Sequence, residues 1–282
     1  MSRNHSHGGT DVGKMRLALI VMLGILLLEA GGGFISHSLA LLTDAAHMLT
    51  DVGSAALGLW AARMALRKND KQHTFGYGRA TILAALANVT ALFAIVLFLI
   101  YEAVVRLGHP ESVQAGIMTI VATVALLSNL LLTWFLTRGD SGSLNVKAVV
   151  AHVTGDAAIS GAVIVAAVLI YFTGVLTIDP IISLLAAVAV SFSAWGIVRD
   201  SLSILMEGTP RGLDIGQLES YLMENAGIDA VHDVHVWCVS DRKTATSLHV
   251  KVPQIQLSRG PETVSRVKQL LHDKFDIEHC TV

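Results

Sequence analysis

"LLTDAAHMLTDVGSAALGLW", residues 41–60, decides how the rest of the chain is read. It is too apolar for a surface helix, yet it carries His47 and Asp51 near its middle. Residues four apart in a helix share a face, so both side chains point the same way. "HVTGD", residues 152–156, repeats the His-x-x-x-Asp spacing inside another apolar run. A solvated helix has no need of such a run, and a lipid-facing one would not tolerate the carboxylates. A membrane bundle with a shared polar interior accommodates both.

The bulk numbers agree. Of 282 residues, 53% are hydrophobic and only 15% charged, whereas soluble domains are about one-quarter charged. Net charge is −2, which gives a nucleic acid no reason to bind. A bilayer core needs about 20 mostly apolar residues per helix. Six stretches meet that length, roughly 15–36, 40–64, 80–104, 114–136, 146–172 and 178–206. Arg3, Lys14, Arg16, Arg67, Lys68, Lys71, Arg79, Arg138 and Lys147 fall on one side of the implied membrane, and only Arg106 on the other. That asymmetry puts both termini in the cytoplasm. The polar start, MSRNHSHGGTDVGKMR, does not read as a secretory signal. Cys238 and Cys280 form no disulfide framework or C-x-x-C pair, as suits a reducing cytosol.

From 207 onward the chain reads as soluble. Asp214-Ile-Gly-Gln217 is a capping-box start for a helix to about 226. Ala230–Ser240 and Ala245–Val252 are β-rich and read as a hairpin across SDRKT. Pro261 opens a second helix to about Phe275, and Ile277–Val282 reads as a last strand. The expected fold is therefore membrane α-helical, with six transmembrane helices followed by a cytoplasmic α+β ferredoxin-like (metallochaperone-like) domain of order α-β-β-α-β. The expected division is a cytoplasmic tail at 1–14, a helix domain at 15–206 and a metal-responsive domain at 207–282.

Two helices side by side, each offering one imidazole and one carboxylate, give an N2O2 set. That is a tetrahedral complement for a divalent metal, zinc above all. Two carboxylates and one dication sum to zero charge, which removes the main objection to burying Asp51 and Asp156. No cysteine thiolate lies in any span to hold zinc tightly. His and Asp also accept protons, so protons compete with the metal and the two ions can be exchanged. Hydrogen-bonded glue between helices and a metal-free proton relay are the competing readings.

The stretch SLALLTDAAHMLTD (38–51), the loop HTFGYGR (73–79) and HVTGD (152–156) resemble the cation diffusion facilitator family, and the likeness covers essentially the whole chain. The resemblance implies a homodimeric metal(II)/proton antiporter that exports zinc from the cytosol, in a bacterial inner membrane, with His47, Asp51, His152 and Asp156 as the transport site. Histidine at the first position of both pairs resembles the zinc-selective branch. It implies Zn2+ as transported substrate and regulatory ligand. Asp70 and His73 match the family's second, loop site, although Tyr77 stands where some members have a further His. His232, His235, His249 and His279 match its tail metal site. Arg79 and Glu207 match a hinge ion pair between membrane and tail. The expected partners are divalent metal, protons, lipid and a second copy of the chain.

Other features stay open at this stage. Asp44 is either a vestibule carboxylate or a local cap. Asn88 and Asn129 read as interhelical hydrogen-bonders. Glu29 carries no assignment, and Gly31-Gly32-Gly33 allows close helix approach or a bend. Rival functions are transport of another divalent metal (Cd, Co, Ni, Fe or Mn) at the same site, a membrane metal sensor, or an intramembrane hydrolase. An enzyme is not expected: no H-E-x-x-H occurs, and four ligands close the metal. A nucleotide is not expected either, since G-x-x-x-x-G-K-[ST] is absent.

Overall fold

A computed structural model describes residues 7–137, 144–240, 243–253 and 259–282. Arg3, His5, Arg138, Asp241 and Arg242 lie outside them. Six long helices come first: α1 (His7–Ser36), α2 (Leu39–Ala65), α3 (Ala80–Gly108), α4 (Ala115–Thr137), α5 (Leu144–Thr173) and α6 (Ile178–Leu205). Then follow α7 (Ile215–Ala226), β1 (Ala230–Cys238), β2 (Thr244–Lys251), α8 (Gly260–Phe275) and β3 (His279–Thr281). α1 starts at His7, so the later part of the expected tail is helical.

Five of the six long helices are long and apolar enough to cross a membrane, and α2 is the exception. Its 27 residues reach about 40 Å, ample for a span. Thr43, Asp44, His47, Thr50 and Asp51 dilute its hydropathy. They fall on the first half of α2, which packs among the other helices and buries Thr43, Asp44 and Thr50. Ala40 and Leu41 pack with Met118 and Val121 of α4 and Val163 and Ala166 of α5. Ala45 and Met48 pack with Ile25 and Leu26 of α1, and Leu39 and Ala46 with Leu99 and Ala103 of α3. The second half of α2 exposes Leu59 and Trp60, as α3 and α6 expose Phe98, Tyr101, Phe192 and Trp195, side chains suited to lipid.

The start of α2 is clamped from α6. Asp179 accepts from Ser38 Oγ at 2.6 Å, from the Leu39 backbone N–H at 2.7 Å and from that of Ala40 at 3.3 Å. It thus satisfies orphan amide donors of a helix other than its own. Thr43 and Ser183 hydroxyls meet at 2.7 Å one turn on. On the other flank, Gly33 lets α1 close on α2. A Cβ there would lie 2.8 Å from Leu42 Cδ2.

By contact density the chain divides into two units, Met1–Ala56 with Asn88–Trp195, and Leu57–Ala87 with Gly196–Val282. The second unit gathers the ends of α2, α3 and α6 with the soluble domain. There Asp214 caps α7 by accepting from Gly216 and Gln217 N–H, and Gly227 ends it in the left-handed conformation. The three-stranded sheet has order β1-β2-β3, antiparallel between β1 and β2 and parallel between β2 and β3. Leu218, Leu222, Val236, Leu248, Val267, Leu271 and Ile277 form its core against α7 and α8.

The hairpin register differs from strict alternation. His232 opposes His249, but His235 opposes Ser247, with a bulge between. Asp233 occupies the bulge with φ 55°. The extra residue brings His232 and His235, three apart, out on the same exposed face.

Candidate metal centre

α2 and α5 each present their His-x-x-x-Asp pair to one point. His47 Nε2 lies 3.9 Å from Asp51 Oδ2 and 3.9 Å from Asp156 Oδ1. His152 Nε2 lies 3.2 Å from Asp51 Oδ2 and 3.7 Å from Asp156 Oδ2. The imidazole rings meet edge-on at 5.8 Å. One ligand atom from each residue falls within 4.8 Å of the other three, the one such group among the described residues.

These separations discriminate between the competing readings. Zinc–ligand bonds of about 2.0–2.2 Å imply ligand–ligand edges of about 3.3–3.6 Å in a tetrahedron. A hydrogen-bonded glue would instead draw N–H and O to about 2.7–2.9 Å. The observed values bracket the tetrahedral edge. Asp51 Oδ2, Asp156 Oδ2 and His47 Nδ1 are buried without a hydrogen-bond partner, so neutral glue leaves them unsatisfied. Side-chain exposure runs from 3% at Asp156 to 35% at His152, so the group is dry at one end and open at the other. The arrangement can hold a divalent ion and give it up along the His152 side.

The other predicted residues are placed as follows. Asp70 and His73 meet in the loop before α3, but Asp70 is already occupied. Its Oδ1 accepts from Gln72 and His73 backbone N–H at 2.9 and 2.7 Å, and its Oδ2 accepts from Tyr77 Oη–H at 2.7 Å. The Tyr77 hydroxyl above all, then the His73 amide, hold the Asp70 carboxyl well below the usual range. His73 stacks on Tyr77 at 4.5 Å. The loop is a closed hydrogen-bonded turn.

Arg79 Nη2 pairs with Glu207 Oε1 at 3.4 Å on the surface. In the hairpin, His232 and His249 rings meet at 5.5 Å, and Asp233 reaches His235 Nε2 at 3.0 Å and His249 Nδ1 at 3.6 Å. It is His232 rather than His235 that stands opposite His249, because the bulge shifts the register. His279 pairs with Ala245, four residues along β2 from His249, about 13 Å away, and packs instead on Phe75. Asn88 donates to Thr50 O and Ser54 Oγ, as a helix-linking asparagine should. Asn129 does not: it is buried with neither side-chain atom partnered. Burial raises both thiols, Cys238 and Cys280, away from thiolate chemistry.

Two residues escaped the sequence reading. Asp179-Pro180 is an ordinary helix start, and nothing in it says that Asp179 reaches α2. Asp233 had a signal: His-x-x-His in a strand puts the two histidines on opposite faces unless a bulge intervenes.

Comparison with known proteins extends the geometry to a family. Residues 15–206 match the model of the cation efflux transmembrane domain, and 210–282 that of the cation efflux protein cytoplasmic domain, the family's dimer-forming module. The zinc transporter ZitB of Escherichia coli is 38% identical over all of this chain and 92% of its own length. The cation efflux system protein CzcD of an Alcaligenes species is 37% identical over 99% and 88%. A cadmium, cobalt and zinc/H(+)-K(+) antiporter of Bacillus velezensis is 36% identical over 100% and 91%. All three are named as transporters or efflux systems, and none as an enzyme. The chain is a member of the cation diffusion facilitator family, a divalent-metal efflux protein of the membrane.

Proposed function

We propose that the protein exports Zn(II) from the cytosol in exchange for protons, by alternating access around His47, Asp51, His152 and Asp156. The observation that carries this reading is the four-ligand group itself, two nitrogens and two oxygens spaced as tetrahedral edges. Cytosolic zinc reaches the ligands from the open His152 side and binds their deprotonated forms, displacing protons. The helices then rock, and external protons reload the ligands and release the ion. Two imidazoles favour zinc over harder ions such as manganese. The names of the relatives add cadmium and cobalt as alternative cargoes.

The protein works as a homodimer in a bacterial inner membrane, with both termini cytoplasmic. Arg67, Lys68, Lys71 and Arg79 between α2 and α3 support that orientation. The soluble domain binds regulatory metal at His232, His235 and His249, with Asp233 as a fourth group and His279 outside the set. Metal there biases the transport equilibrium through the dimer, with Arg79–Glu207 as the hinge pair. The Asp70–His73 loop stays metal-free, since Tyr77 and two amides already use the carboxylate.

Radiozinc uptake into everted vesicles, with and without a pH gradient, tests the reading. Uptake that depends on the gradient is expected. Zinc binding without flux would make the protein a sensor instead.

A further inference from the structure

Three helices bring a second polar group together one turn from the metal ligands. Glu29 on α1 and Asp44 on α2 are only 1% and 2% exposed. Their carboxyl groups lie within reach of each other. Ser160 on α5, one turn past Asp156, donates to Asp44 Oδ2 at 3.5 Å. Glu29 Oε2 and Asp44 Oδ1 have no partner at all. Gly33, one turn beyond Glu29, permits this approach, because α1 and α2 close to a distance that a Cβ would forbid.

Two carboxylates cannot both be ionised face to face in a dry bundle, so a proton must lie between them. The charged groups facing the pair are carboxylates as well, Asp51 from α2 and Asp156 from α5. Helix α4 contributes no titratable side chain. Among the described residues no Lys or Arg pairs with either carboxyl. A second divalent ion is the poorer occupant, because among the described residues only the His–Asp group gathers enough ligand atoms.

We propose that Glu29 and Asp44 form a proton-binding site, separate from the four metal ligands, that carries counter-ion in the exchange. The proposal rests on the reading of those ligands as the transport site. Asp156 is the electrostatic link. A dication arriving beside it cancels the negative potential that retains the proton. The carboxyl O–H then breaks and the proton passes to water in the open cleft. When the ion leaves outward, a proton from external water restores the O–H bond. Ser160 positions Asp44 and does not itself titrate.

The test uses the full-length protein in nanodiscs with zinc pulses and a pH dye in weak buffer. Glu29→Gln should still bind zinc but release fewer protons per zinc than the unchanged protein. Equal release overturns the proposal. Should Glu29→Gln not fold, infrared difference spectra of the unchanged protein decide. A protonated-carboxyl stretch must disappear on zinc addition, and its absence overturns the proposal. Asp156→Asn separates the two readings. If it binds zinc normally, the transport-site assignment fails, whatever Glu29 does.

Discussion

Two clusters of histidine and carboxylate occur in this chain, and they differ chiefly in their access to water. His47, Asp51, His152 and Asp156 sit on the inner faces of two helices, with Asp156 only 3% exposed. His232, Asp233, His235 and His249 sit on the outer face of a hairpin, with His235 67% and His249 63% exposed. The first cluster has buried polar atoms with no protein partner, while water serves the second. A dry group of this kind is unsatisfied without a counter-ion, and on the proposed reading that ion is exchanged for protons. A wet site binds by choice, which suits regulation better than transport.

The largest expected effect separates the two directly. Asp51→Ala or Asp156→Ala should abolish zinc flux into everted vesicles while the protein still inserts, whereas His249→Ala should change flux only modestly. Equal losses would erase the distinction. Next, His152→Asp should weaken zinc relative to manganese in competition uptake. The loss of an imidazole ligand should cost at least the ~10–100-fold that outer-shell partners are worth.

A smaller effect tests the bulge. Asp233→Gly keeps the left-handed backbone and removes the carboxylate, so zinc affinity of the soluble domain should fall without loss of thermal stability. Asp233→Val should add about 1–2 kcal/mol of backbone strain, read as a lower Tm. If both variants melt alike, the φ of 55° is not what holds the register.

The smallest effect concerns the loop. Asp70 titrates below its ordinary range, so its contribution is complete above the unfolded value of about 3.9 and fades only as pH falls through the lowered one. Tyr77→Phe should bring that titration back toward normal, seen by NMR of labelled aspartate, with flux at neutral pH unchanged. A large flux loss would show that the loop does more than close on itself.

Much of this was legible in the residues. Hydropathy alone marked six spans close to the observed helices, and an i,i+4 spacing picked out the four side chains that the fold brings together, because a helix converts spacing into a shared face. The soluble domain followed from its capping and turn residues. Asn129 misled, since a buried amide in a span suggests a partner and none is present. The position of His279 was not legible either, because membership of a strand says nothing about its register. The polar character of α2 was legible only as an anomaly. Five helices qualify as spans on composition, and the one that does not is the one carrying half of the proposed ligands.

The sequence by itself determined the membrane class, the soluble α-β-β-α-β domain and the identity of the paired side chains, all local properties of periodicity and composition. Tertiary structure alone decided what those pairs meet: α5 opposite α2, Asp179 on the start of α2, Glu29 against Asp44, and His232 rather than His235 opposite His249. Such meetings depend on which faces pack and on a one-residue shift in register. Neither is encoded in any single segment, because each is settled by the closeness that neighbouring elements allow.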